Sequence, residues 1–185
     1  MFNERKAAQV AAWFLRQSGR RMAHLKLMKL MYLADREALN EFGFPITGDK
    51  AVSMDHGPVL SQTLNLINGL VESGEDGWEA WIRDRENHEV ALRDRAGAAK
   101  ALDEISKAEL DVLEKVWEQF GHMGMWQIRD YTHDHCPEWQ DPQGSSAPIP
   151  FERIFTALGR SKDEAAQLAE GIAEQQRIGK LFSVL

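Results

Sequence analysis

At 185 residues and 21.0 kDa the chain has the size of one domain and is long enough to bury about two-thirds of its unfolded surface without staples. Hydrophobic residues at 43%, charged residues at 28% and a mean hydropathy of -0.44 exclude a membrane-embedded or disordered chain, and the net charge of -7 opposes general nucleic-acid binding, which needs a basic footprint. Cys136 is the only cysteine, which excludes an intramolecular disulfide and a paired-cysteine zinc site and points to a reducing compartment.

Met1 to Lys6 lead into an alanine-rich helical pattern without the features of a signal peptide, and no apolar run approaches the roughly 18 residues of a membrane span; the expected location is cytoplasmic. Asn3 is placed to cap a helix from about Glu4 to Ser18, with Ala7, Ala11, Phe14 and Leu15 on one side and Gly19 as its stop. From His24 to Glu41, a turn of roughly 100° per residue gathers Leu25, Leu27, Met28, Leu30, Met31, Tyr32, Ala34, Ala38 and Leu39 into an arc of roughly 220°, the pattern of a central helix. Lys26, Lys29, Arg36 and Glu37 fall outside the arc. Asp35 falls inside it and needs a partner, either a structural pairing or the setting of a buried acid with a raised pKa.

After Gly43 the helical period ends. Lys50 to Met54 reads as a short strand before a turn at His56-Gly57-Pro58, and Pro58 suits the first position of a short helix with Leu60, Leu64 and Ile67. Trp81-Ile82 and Val90-Ala91-Leu92 form a predicted hairpin, which with 50–54 makes one small antiparallel sheet. Ser106 to Glu109 is a capping box opening a helix with Leu110, Leu113, Trp117 and Phe120 as its stripe. A further helix covers Met125 to about Thr132, with Met125, Ile128 and Tyr131 inward, until Pro137 forbids continuation. A turn-rich connection precedes Pro150, which restarts a helix through Leu158; a second capping box, Ser161 to Glu164, begins a last helix with Ala165, Leu168 and Ile172 on one face. Its pattern weakens after Ile172, and the end, with Leu181 and Phe182, is apolar. The fold class is mainly α with a small antiparallel sheet, α+β in detail: a helical domain over 1–160, with 161–185 as a helix and apolar tail of the same domain.

His133, His135 and Cys136 invite a zinc site, but two positions on a helix place the histidines roughly 200° apart, unlike an i, i+4 pair. Cys136 beside a histidine also suggests a thiolate nucleophile, yet Pro137 follows it and no oxyanion turn lies near. No P-loop, GxGxxG, HExxH or GxSxG is present. We expect no catalytic residues, no metal and no cofactor. A metal-dependent hydrolase built on His133, His135 and Asp35 is the lesser alternative.

Two segments together resemble the Panacea domain, the SocA-type antitoxin family. The first is Leu25-Lys-Leu-Met-Lys-Leu-Met-Tyr-Leu-Ala34, similar to the family's Leu-Lys-Leu-Gln-Lys-Leu-Leu-Tyr-x-Ala, followed by Gly57-Pro58-Val59; the second runs from Leu113 to Trp139, with Val116-Trp117, Thr132-His133 and Pro137-x-Trp139. The similarity covers roughly Lys6 to Gly159, and Asp55-His56 stands where members often carry an aromatic before Gly-Pro-Val. The resemblance implies a protein that binds a cognate toxin protein and neutralises it, and in the SocA-type branch an adaptor that presents the toxin to an ATP-dependent protease such as ClpXP.

With six Trp, eight Phe and seven Met the chain holds many residues suited to anchoring an interface, most of them needed for the core. Trp78, Trp126 and Trp139 lie off an obvious stripe and are expected at a surface. Candidate partner-binding residues are His56, Gly57, Pro58, Trp126, Thr132, His133, Trp139, Leu181 and Phe182. The rival reading is a DNA-binding regulator of its own operon, because Arg16, Arg20, Arg21, Lys26 and Lys29 follow one another without an acid.

Overall fold

The computed structural model describes residues 1–93 and 101–182, leaving the side chains of 84–86 and 182 outside the description. The chain folds as mainly α with two small three-stranded antiparallel sheets. Helix α1 (Glu4–Gln17) starts where Asn3 accepts the Lys6 N–H at 2.9 Å, and its buried Ala7, Ala8, Ala11 and Ala12 form a smooth face in the core. Strand β1 (Arg21–Ala23) leads straight into α2 (His24–Phe42), which is buried continuously from Leu27 to Asp35 and closed by Gly43 in the left-handed conformation. A helix buried all round is the centre of the molecule.

The buried Asp35 carboxylate accepts Thr47 N–H at 3.0 Å and Thr47 Oγ1–H at 2.5 Å, so the structural pairing expected of it is present. The loop it anchors leads to β2 (Ala51–Met54) and, after the Asp55-His56 turn, β3 (Gly57–Leu60). Here the expected turn needs correcting. Pro58 is not the first residue of a helix but lies within an edge strand opposite Ser53, a pairing position whose N–H and C=O point away from β2, so a proline loses no ladder bond there. Helix α3 (Ser61–Ile67) then begins without a side-chain cap of its own. Asp49 supplies the cap from outside, accepting the N–H groups of Gln62 (3.0 Å) and Thr63 (2.8 Å) and the Thr63 hydroxyl (2.8 Å).

Strands β4 (Ile82–Glu86) and β5 (Glu89–Leu92) form the expected hairpin, with Asn87 and His88 at φ of 51° and 63°, the positive pair that a type I′ turn requires. The expected union with 50–54 does not occur. β5 pairs instead with β1, giving the order β1-β5-β4, while β2 lies between β3 and the two-residue β6 (Ala147–Pro148). Two strands too short to show any alternation thus divide one predicted sheet into two.

Helix α4 (Lys107–Phe120) opens on the Ser106/Glu109 capping box, and α5 (Met125–His135) runs one turn beyond Thr132 before Cys136-Pro137 stops it. Helix α6 (Phe151–Ala157) packs on α7 (Lys162–Phe182), which starts at the Ser161/Glu164 box and continues helical through Gly179 despite its weakened apolar pattern. Trp78, expected at a surface, is 3% exposed. Its backbone N–H donates to the Glu4 carboxylate at 2.7 Å, so it joins the start of α1 to the core.

Because Asp49 holds three donors of a helix that cannot cap itself, we expect Asp49→Ala to destabilise the protein by about 2–3 kcal/mol, measured by urea unfolding; a change within about 0.5 kcal/mol would show that α3 is capped by other means.

Candidate functional site

On α2, Lys29, Tyr32 and Arg36 follow one another at helical spacing and place a polar seam along the core helix. Lys29, expected outside the apolar arc, is fully buried, and its Nζ donates to the Pro58 carbonyl at 2.7 Å, the edge-strand acceptor that β2 leaves unpaired. Tyr32 donates to Glu138 Oε1 at 2.5 Å and Arg36 Nε to the same atom at 2.6 Å, so the fully buried Glu138 is matched by one cation and one hydroxyl. Burial lowers the Lys29 amine to about 7, helped by the charge of Arg129 and opposed by Cys136. Glu138 was missed in the sequence, where the only signal was its place between Pro137 and Trp139.

The Lys29 corner gathers five of the predicted residues. Gly57 sits at φ +91°, and a Cβ on it would lie 2.9 Å from Thr132 Oγ1, 3.0 Å from His133 Cδ2 and 3.0 Å from Lys29 Nζ; both the backbone angle and the space call for glycine. Thr132 is buried and donates to Arg129 O at 2.8 Å. His133 stacks on Trp139 (ring centroids 4.1 Å apart, 8° between planes), and Trp139 Nε1 donates to Met54 O at 2.9 Å, binding the β2–β3 hairpin to the segment after α5. Burial and the Lys29 charge lower the pKa of His133, whose Nε2 is buried without a hydrogen-bond partner among the described residues.

Outside this packed corner, His56 and Trp126 meet edge to face at 6.1 Å and border an open cavity of about 680 Å³ between the tips of the two hairpins. Trp126 is 49% exposed, at the surface where its place off an obvious stripe put it. Leu181 lies apart from both, on the last turn of α7 and 71% exposed; Phe182 ends that helix, and its side chain is outside the described residues.

Chemical groups in the corner are poorly arranged for nucleophilic or metal chemistry. Cys136 is buried, and burial together with the Glu138 charge pushes its thiol up to about 12, the reverse of an activated thiolate. His135 stacks on Tyr131 at 4.3 Å while His133 stacks on Trp139, so the two imidazoles have different ring partners; among the described residues no three His, Cys, Asp or Glu side chains gather at metal-binding distances. The basic run is likewise dispersed: Lys29 is buried, Lys26 donates to Gly121 O, and Arg21 pairs with Glu89 at 2.9 Å.

Two buried groups make stability depend on pH in opposite senses. The Lys29 amine falls from 10.5 to about 7, so between those values the unfolded chain holds a proton that the folded chain lacks, and stability rises with pH. Burial lifts the Asp35 carboxyl from 3.8 to about 7 against the pull of its Thr47 bonds; the folded chain then holds the extra proton, and stability falls as pH rises towards 7. We expect the melting temperature of Asp35→Asn to lose the fall between about pH 5 and 7, and that of Lys29→Met to lose the rise between about pH 7 and 10, each read against wild type; parallel curves would contradict these assignments. Gly57→Ala should cost about 1–3 kcal/mol, measured by denaturant unfolding, and an unchanged midpoint would contradict the close packing described.

No curated protein and no solved structure matches the chain. A family model, described as antitoxin SocA-like, Panacea domain, matches residues 27–140, more than half of the sequence. The matched span begins in the buried part of α2 and ends just past Trp139, enclosing Lys29, the Gly57-Pro58 edge, Thr132, His133 and Glu138. The chain belongs to the antitoxin SocA-like, Panacea domain family.

Proposed function

We propose that the protein is an antitoxin of a toxin–antitoxin system, working in the cytoplasm as one domain that binds a cognate toxin protein and blocks it by occupancy rather than by catalysis. Family membership supports the class of function. The observation that carries the direct-binding reading is the placement of His56 and the half-exposed Trp126 on an open cavity, backed by the Lys29–Gly57–Thr132–His133–Trp139 corner that holds both hairpin and helix in place. Large aromatic side chains on a rigid frame are the usual energetic anchors of protein interfaces. The dispersal of the basic run weighs against the DNA-binding alternative.

A second role, delivery of the toxin to an ATP-dependent protease such as ClpXP, is supported by a separate observation. Ile178 and Leu181 are 47% and 71% exposed on the last turns of α7, outside the family-matched span, where an apolar handle can be gripped without disturbing the core.

Co-expression with the protein encoded by the adjacent reading frame should restore growth and yield a complex on co-purification; a toxic neighbour that neither binds nor is neutralised would refute the antitoxin reading. Deleting 179–185 should leave binding intact and lengthen toxin lifetime in cells. An unchanged lifetime with a stable truncated protein would remove the adaptor role alone.

A further inference from the structure

The cavity of about 680 Å³ is built from parts distant in sequence: the end of β1 and start of α2, the His56 turn, the Asn87-His88 turn and the first residues of α5. Its size falls within the roughly 300–1,000 Å³ of sites that take a small molecule or one large side chain. Leu25, Met125 and Trp126 supply apolar wall, and three imidazoles, His24, His56 and His88, supply rings. His24 and His88 lie with centroids 6.0 Å apart and planes 28° apart, and the Nδ1 of His24 is 2.8 Å from His88 O, which joins the hairpin tip to α2. Trp126 has Arg129 over its ring at 4.9 Å and His56 at its edge. Met125 adds a flexible, polarizable side chain able to adapt to a ring.

The charged side chains beside the cavity are already engaged within the chain, two of them in ion pairs and Lys26 at a backbone carbonyl. Glu89 in the wall pairs with Arg21 at 2.9 Å, Arg129 with Asp130 at 2.5 Å, and Lys26 donates to Gly121 O at 2.7 Å. A charged ligand would have to break one of these contacts to find a counter-ion, whereas an uncharged ring buries apolar area and leaves them intact. We propose that this groove takes an uncharged aromatic side chain presented by the protein partner, with Trp126 and Met125 as its contact surface and His24, His56 and His88 as the surrounding rings. The identity of that partner as a toxin rests on the antitoxin reading above. The preference for an uncharged ring does not.

The test uses the full chain and fluorinated N-acetyl-L-tryptophanamide, observed by fluorine NMR, with N-acetyl-L-lysinamide and N-acetyl-L-glutamate as charged competitors. The aromatic amide should bind saturably, resist both competitors, weaken about tenfold in Trp126→Ala and stay within about twofold in Trp126→Phe and in the distant Leu181→Ser. Equal competition by either charged compound, or unchanged binding in Trp126→Ala, would overturn the proposal. His56→Ala gives the same reading should Trp126→Ala fail to melt cooperatively. In a second arm, Trp126→Ala should lose binding to the protein of the adjacent reading frame while Leu181→Ser keeps it; full binding by Trp126→Ala would overturn the groove as the toxin's site. If wild type takes the aromatic amide but not the neighbouring protein, the antitoxin reading fails and the groove's preference stands.

Discussion

A fully buried lysine amine, donating to the carbonyl of a proline in an edge strand, is the contact on which the rest of this structure depends. A buried ammonium is costly and an unpaired edge carbonyl is costly too, and the 2.7 Å bond from Lys29 to Pro58 O offsets part of each. Burial and the charge of Arg129 lower the Lys29 pKa to about 7, so near neutral pH the amine carries only part of a buried charge while it makes the bond. Only glycine fits beside that nitrogen, and Thr132 and His133 close over it. The β2–β3 hairpin is thereby bonded to α2, while Thr132 and His133 of α5 pack against the same corner.

From this fixed corner the outer surface follows. His133 carries Trp139, Trp139 holds Met54, and the turn after Met54 carries His56 to the edge of Trp126. The neighbouring Glu138, with Tyr32 and Arg36, anchors the same segment further along the same face of α2. Buried polar networks of this kind favour one arrangement over near alternatives, because a shifted hairpin would leave several groups unsatisfied at once. The proposed binding surface, built on such a frame, would lose little entropy on meeting a partner.

Much of this was legible in the sequence wherever the information is local. Asn3, Ser106 and Ser161 mark helix starts because capping needs only the next three residues, and the hairpin over 82–92 is signalled by two short apolar pieces flanking the polar stretch from Arg83 to Glu89, where the helical period is lost. The two-sheet arrangement was not legible, since Arg21–Ala23 and Ala147–Pro148 are strands only by virtue of partners far along the chain. Lys29 was misplaced for a related reason: helical periodicity assigns a lysine to solvent, and the acceptor that makes its burial tolerable lies 29 residues further on. Family-like motifs singled out Gly57, Pro58, Thr132, His133 and Trp139 without revealing that they meet. Leu181 came from apolarity alone and stands apart from them.

In the proposed function the protein grips another protein through the surface between its hairpin tips. Amide hydrogen exchange of the full chain, alone and with the product of the adjacent reading frame, tests this most directly. Added protection should concentrate at 54–59, 86–89 and 125–129, beyond any uniform slowing from stabilisation. Protection confined to 151–182, with those three segments unchanged, would contradict it.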